Sequence, residues 1–340
     1  MRPLHAFRKT LAILGVALAV AVGLSLLPEN PYQRWKLLAG TIHARSQWIY
    51  ERSHFDPQPV DVVFLGPSRI GAGVDAPRLG AALAARGLPS NVVNFSLPEA
   101  GRNINWIIFR ELMQTKRPKL VVIGVMEKPS RFGHSTYKFL APRADIVNPG
   151  YPTDFNYLSD LVYLPYRQAE LFVADLAPGV LGPTKTFDPA HYRGHTVNTT
   201  GDVVLPGGGI KHASYPATMS ELMRGVNKWN AGIVPPILPR KYADYEFGDE
   251  RYYIRKIVTL AHARGAQVTF LFLPYYTGAT ELQEQDFYDQ FGPTWNAGFV
   301  ADHSEMFADY GHLTSPAADD LTDWLVAPVA EALQGKAQPR

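Results

Sequence analysis

Short, almost uninterrupted apolar runs separated by segments of helical periodicity restrict the fold of this chain more than any other feature. The runs are Asp61–Leu65, Val92–Phe95, Leu120–Val125 and Val268–Leu273. Between and after them, helical patterning predicts Pro77–Arg86, Asn103–Thr115, Glu250–Arg264 and Ser315–Leu333, with Gly87 and Gly265 placed to close the first and third. A strand without polar alternation is buried on both faces and needs helices above and below it. The expected fold class is therefore α/β: a three-layer sandwich around a mainly parallel central sheet. Ligands of such sheets bind beyond the carboxyl ends of the strands.

The N-terminal region is of another kind. Arg2, Arg8 and Lys9 precede the apolar run Leu11–Leu27, which as a helix reaches roughly 25 Å, the short end of a membrane span. Small residues at Ala17-Leu18-Ala19 and Ala19-Val20-Ala21 offer signal-peptide cleavage sites, but the apolar run continues past both to Leu26-Leu27. A retained transmembrane helix with a cytoplasmic N-terminus is the expectation, which puts residues 1–30 into a stub and anchor. Residues 31–56 come next as an amphipathic juxtamembrane helix, with Tyr32, Trp35, Leu38, Ile42 and Ile49 on one face. Two fates stand open for it: packing on the domain, or lying on the membrane surface.

The α/β domain is expected over residues 57–335. A large insertion at about 133–247 interrupts it, rich in Pro, Gly and Tyr, with helical pieces near 158–176 and 219–229. The absence of cysteine excludes disulfides, thiolate catalysis and cysteine-ligated zinc. A formal charge of +2 supplies no global field for nucleic acid.

Chemistry concentrates at two places. Gly66-Pro67-Ser68-Arg69 leaves the first buried strand, and Asp309-Tyr310-Gly311-His312-Leu313 precedes the terminal helix. A serine at a strand tip, with an Asp and a His three residues apart, supplies a nucleophile, a base and an orienting carboxylate. The bland alternatives are a serine that caps a helix and an aspartate that caps a turn. The pattern G-x-S-x-G is not met, because Ile70 stands where glycine is required. Glu127, Arg131 and His134 come after the third strand and either line the cleft or, for Glu127 and Arg131, pair with each other. Asp302-His303 is a rival acid–base pair. Asp188, His191 and His195 have metal-like spacing that Gly194 interrupts, so no metal is expected. Tyr275 and Tyr276 sit at a strand exit, either to stack on sugars or to fill the core.

The Gly66–Arg69 block, the block Asn94-Phe95-Ser96-Leu97-Pro98-Glu99-Ala100-Gly101 and the Asp309–Leu313 block resemble those of the SGNH (GDSL-type) hydrolase superfamily. The similarity covers about residues 60–131 and 250–330. It implies an SGNH/flavodoxin-like sandwich with Ser68 as nucleophile, Asp309 and His312 completing the triad, and Gly101 in the oxyanion hole. Asn94, Arg131 and Glu127 are the further candidates for oxyanion or cleft-lining roles. Two departures stand out. Gly-Asp-Ser has become Gly66-Pro67-Ser68, and the third strand ends Gly124-Val125-Met126-Glu127-Lys128 without the family's asparagine. An ionised glutamate cannot donate, so backbone N–H groups or a cation such as Arg131 would have to serve.

Anchor, divergent blocks and Ser-first, His-last order together resemble the branch holding the D-alanyl transfer protein of teichoic acid synthesis and the alginate O-acetylation proteins. That resemblance implies a serine-dependent O-acyltransferase in the inner membrane, single-pass, with its domain in the periplasm. It would act without a cofactor on a polysaccharide acceptor, beside a polytopic membrane-bound O-acyltransferase. A polysaccharide esterase and a non-catalytic scaffold of a membrane complex are the alternatives.

Overall fold

The computed structural model describes residues 2–335 except Pro152 and Pro206. Its centre is a five-stranded sheet of β1 (Val62–Leu65), β2 (Val92–Asn94), β3 (Leu120–Val125), β4 (Gln267–Phe272) and β5 (Thr294–Asn296). The strand order is β2-β1-β3-β4-β5 and every pairing is parallel. The α/β expectation holds at this level. β5 carries no apolar run and was invisible to hydrophobic patterning; only Trp295 is buried in it.

Alternation along the strands splits the core into two layers. Val63, Leu65, Val121 and Ile123 face one side and pack with Trp48, Ile107 and Ile257. Val62, Phe64, Leu120 and Val122 face the other and pack with Leu79, Leu83, Leu321 and Leu325. Successive side chains on a strand point to opposite faces, so a strand buried on both sides reads as continuous apolar sequence. Helices α3 (Arg45–His54) and α6 (Arg102–Thr115) and the helix Gly248–Ala263 cover the first face. Helix α5 (Ala76–Ala84) and the terminal helix Ser315–Leu333 cover the second. Asp75 caps α5 by accepting from Arg78 N–H, and Thr314 caps the terminal helix in the same way.

The N-terminal helix α1 (Arg2–Ser25) contains Phe7–Ser25, long and apolar enough to cross a membrane. The segment after it departs from expectation. Instead of one amphipathic helix there are two, α2 (Pro31–Lys36) and α3, broken near Gly40 at φ +76°. Most of its apolar face is not available to a membrane: Tyr32, Trp35, Leu38 and Ile49 are buried in the core, Ile42 alone of the five is exposed, at the cleft wall, and Arg52 is buried with its guanidinium on the carbonyls of Gln58, Pro59 and His195.

The insertion lies between β3 and β4 and divides its labour. The helix Tyr157–Leu176 packs beside α1, while a hairpin of Val203–Val204 with Ile210–Lys211 and the helix Met219–Ala231 reach the carboxyl end of the sheet.

Candidate active site

Strand order reverses between β1 and β3, the switch point where parallel sheets open a crevice. Ser68 stands there, three residues past the end of β1. It opens the short helix α4 (Ser68–Gly73), but Pro67 is the capping residue and makes no side-chain cap. The helix-cap alternative for Ser68 therefore fails, and the hydroxyl is free to meet another partner.

That partner is His312, whose Nε2 lies 2.7 Å from Ser68 Oγ. On the other side of the ring, Nδ1 lies 2.8 and 2.9 Å from the carboxylate oxygens of Asp309. A carboxylate only accepts, so Nδ1 carries the proton and Nε2 is left to accept from the serine. Residues 244 apart in sequence are thus joined in one hydroxyl–imidazole–carboxylate line. The loop that delivers them is built by Asp309 itself, whose Oδ1 also accepts from the backbone N–H of Gly311 at 2.8 Å and of His312 at 3.0 Å. The turn-capping alternative for Asp309 is also true, and it serves the same geometry.

Lys211, from the insertion hairpin, forms an ion pair with Asp309 and brings its Nζ to 3.1 Å from His312 Nδ1. Burial pushes the Asp309 carboxyl up, but the His312 hydrogen bond and the charges of His312 and Lys211 outweigh it. They hold the group well below the usual carboxylate range. No sequence signal marks Lys211, which comes after the Gly207-Gly208-Gly209 run.

The serine opens into a cleft of about 530 Å³. Its walls come from α4, from the 98–100 loop, from Ile42 and Arg45, and from the insertion through Thr199, Leu205, Lys211 and Trp229. Arg45 donates to Ser96 O at 3.2 Å and has no carboxylate partner among the described residues; burial lowers its guanidinium to about 10.

The remaining candidates divide. Ala100 lines the cleft and Gly101 is next to it as the cap of α6, at φ +142°. A side chain there would also strike the backbone of His134, so both conformation and space demand glycine. Asn94 is not a cleft residue. It is fully buried, and its amide donates to Ile70 O at 2.9 Å and Val74 O at 3.1 Å, locking α4 against β2.

Arg131 is likewise withdrawn from any oxyanion role. Its guanidinium is taken by Glu246 and by the carbonyls of Val234 and Pro235. Glu127 does not pair with Arg131 but with Arg69, at 2.6 Å, and accepts from Trp229 Nε1 at 2.9 Å. Because β1 and β3 are neighbours, the residues just past their ends meet. Arg69, like Lys211, was missed, although it directly succeeds the serine. Its guanidinium also lies 5.2 Å from the ring centroids of Trp229 and Tyr275.

His134 is buried, with Nε2 against Pro98 O and Nδ1 accepting from Thr136, and burial pushes it down to about 4. It latches the second block rather than facing the cleft. Asp302 and His303 are not among the residues that line the cleft, and His303 Nδ1 lies 3.0 Å from Glu305. His191 bonds Asp188 at 2.7 Å in an exposed single turn of 3-10 helix, so no α-helical face joins it to His195. Among the described residues no group of three or more His, Cys, Asp or Glu is placed to hold a metal. Tyr275 and Tyr276 are core residues; Trp229 and Tyr310 are the aromatics that line the cleft.

A scan against family models finds no match for this chain, and a search of the curated proteins finds none either.

Proposed function

We propose that the protein is a membrane-anchored, extracytoplasmic serine acyl-transfer enzyme of SGNH type that O-acylates an exported or cell-envelope polysaccharide. The observation that carries this reading is the 2.7 Å contact between Ser68 Oγ and His312 Nε2, with Asp309 on the far side of the ring. Ser68 Oγ attacks the acyl carbonyl of a donor ester while His312 Nε2 takes its proton. The carbonyl carbon–oxygen bond to the leaving group then breaks, and the leaving alkoxide takes that proton. An acyl-serine remains. An acceptor hydroxyl attacks it, His312 removes the acceptor's proton, and Ser68 Oγ leaves and recovers a proton from the imidazolium. Asp309 fixes the tautomer and balances the imidazolium charge.

Backbone N–H groups are the oxyanion donors in this reading, because the asparagine position is occupied by Glu127 in an ion pair. The N–H of Ser68 opens a helix and so has no intrahelical acceptor, and Gly101 stands beside the cleft. The acyl donor is supplied by a polytopic membrane-bound acyltransferase, and the anchor α1 holds the domain at the outer face of the inner membrane, where the two meet.

The test is the pre-steady-state reaction of the purified full chain with excess nitrophenyl acetate. Acyl transfer predicts a burst and an acetylated Ser68 peptide, followed by acetyl appearing on added glycan. Equal deacylation with and without glycan would replace transfer by hydrolysis. No acetylated Ser68 would remove both.

A further inference from the structure

The insertion helix Tyr157–Leu176 is built inside out. Its polar residues Asp160, Arg167 and Gln168 are buried against the domain with Leu164, Leu171 and Ala174. Its opposite face carries Leu158, Val162, Tyr166, Ala169, Val173 and Leu176, spaced four, four, three, four and three residues, which is one continuous stripe along a helix. The six residues of the stripe are uncharged, and the exposed Glu170 stands at its rim. Leu158 is 72% exposed, Val162 78% and Leu176 68%, whereas Arg167 is 0%. An apolar face of this length is not a scatter of single surface residues.

What covers the stripe is indicated by the element beside it. The helix packs along α1, the apolar helix of spanning length. At the exit of that span, Gln168 Nε2 donates to Leu27 O at 3.0 Å and Arg167 pairs with Glu29 at 3.3 Å. Arg143 donates to Ser25 O at 3.1 Å. A bilayer that holds α1 therefore reaches the flank of this helix. Tyr163 lies at its edge with Lys138 Nζ 5.2 Å from its ring centroid, an aromatic–cation pairing suited to the headgroup zone.

We propose that the face Leu158–Leu176 lies in the lipid interface, as a second membrane contact beside the anchor. Of the two fates left open for residues 31–56, packing on the domain is the one taken by Tyr32, Trp35, Leu38 and Ile49, and the membrane-surface role belongs to this helix instead. The inference rests on the anchor reading of α1.

The chain has no cysteine, so single labels can be placed without background. Leu14→Cys, Val162→Cys, Val173→Cys and Arg264→Cys in the full chain all alter exposed positions and leave the core alone. Each is tagged with bimane and reconstituted in vesicles of phosphatidylethanolamine and phosphatidylglycerol, with or without brominated acyl chains. Loss of emission in brominated vesicles at Leu14, Val162 and Val173, but not at Arg264, is the expected result. Quenching at Leu14 with none at Val162 and Val173 overturns the lipid contact and leaves the anchor standing. In that case iodide tells open water from cover by a protein or a second copy. No quenching at Leu14 removes the anchor reading and this inference together.

Discussion

At the scale of single residues, the hydroxyl at position 68 hydrogen-bonds to His312, and the proposed chemistry rests on that bond. Ser68→Ala is expected to lower kcat by roughly 10⁴-fold or more with an unchanged circular dichroism spectrum. Asp309→Asn should keep the loop but favour the wrong imidazole tautomer, costing about 10⁴-fold. The Asp309 carboxyl is held low, so its contribution to stability is present above the ordinary carboxylate range near pH 4 and is lost as pH falls below it. Urea midpoints of wild type and Asp309→Asn should accordingly differ at pH 7 and converge in acid. Lys211→Met removes one of the cations that depress Asp309, and the acid limb of the kcat/KM profile should move to higher pH. The meeting of Ser68, Asp309 and His312 was legible because each sits in a short block with its own chemical pattern. Lys211 was not, since a lysine after a glycine run has no local signature and its place is set by a tertiary contact.

Elements fix where those residues stand. β1 and β3 lie side by side, and Gly124 on β3 faces Ile70 of α4 so closely that a methyl group would collide with it. Gly124→Ala should therefore overpack this contact, cost about 1–3 kcal/mol and displace α4 with Ser68. Denaturant unfolding and kcat measured on one preparation would check both. The Arg69–Glu127 pair joins the same two strand ends in a buried setting. Glu127→Ala leaves the guanidinium without its carboxylate and is expected to destabilise by roughly 3–5 kcal/mol. His134, latched to Pro98, is pushed down to about 4. Its share of stability is complete above the ordinary imidazole value near 6.5 and is lost as pH falls from there towards 4. His134→Gln should flatten that part of the stability profile. The four apolar strands were readable from patterning because each carries a buried run. β5 was not, because three residues with a single buried Trp295 present no period to detect.

For the whole molecule, the insertion decides what the sandwich can do. It supplies Lys211 to the Asp309 carboxylate, Trp229 and Leu205 to the cleft wall, and the helix Tyr157–Leu176 to the flank of α1. The helices near 158–176 and 219–229 were readable from periodicity, but where they and the hairpin go was not, because a Pro- and Gly-rich pattern reports turns and not destinations. The amphipathic pattern of residues 31–56 was real, but the apolar face it described is spent on the core, and periodicity alone does not distinguish a protein interior from a lipid surface. Retention of the full chain in the membrane pellet after alkaline carbonate extraction, and release by deletion of residues 1–30 together with Val162→Glu and Val173→Glu, is expected from two membrane contacts. Whether the parts assemble around an activated nucleophile is tested most directly by a fluorophosphonate added to the full chain in native membranes, with the labelled peptide identified by mass spectrometry. Covalent label on Ser68, absent in His312→Ala, is the predicted result. Label on a different residue, or none on a preparation that still acylates glycan, would contradict it.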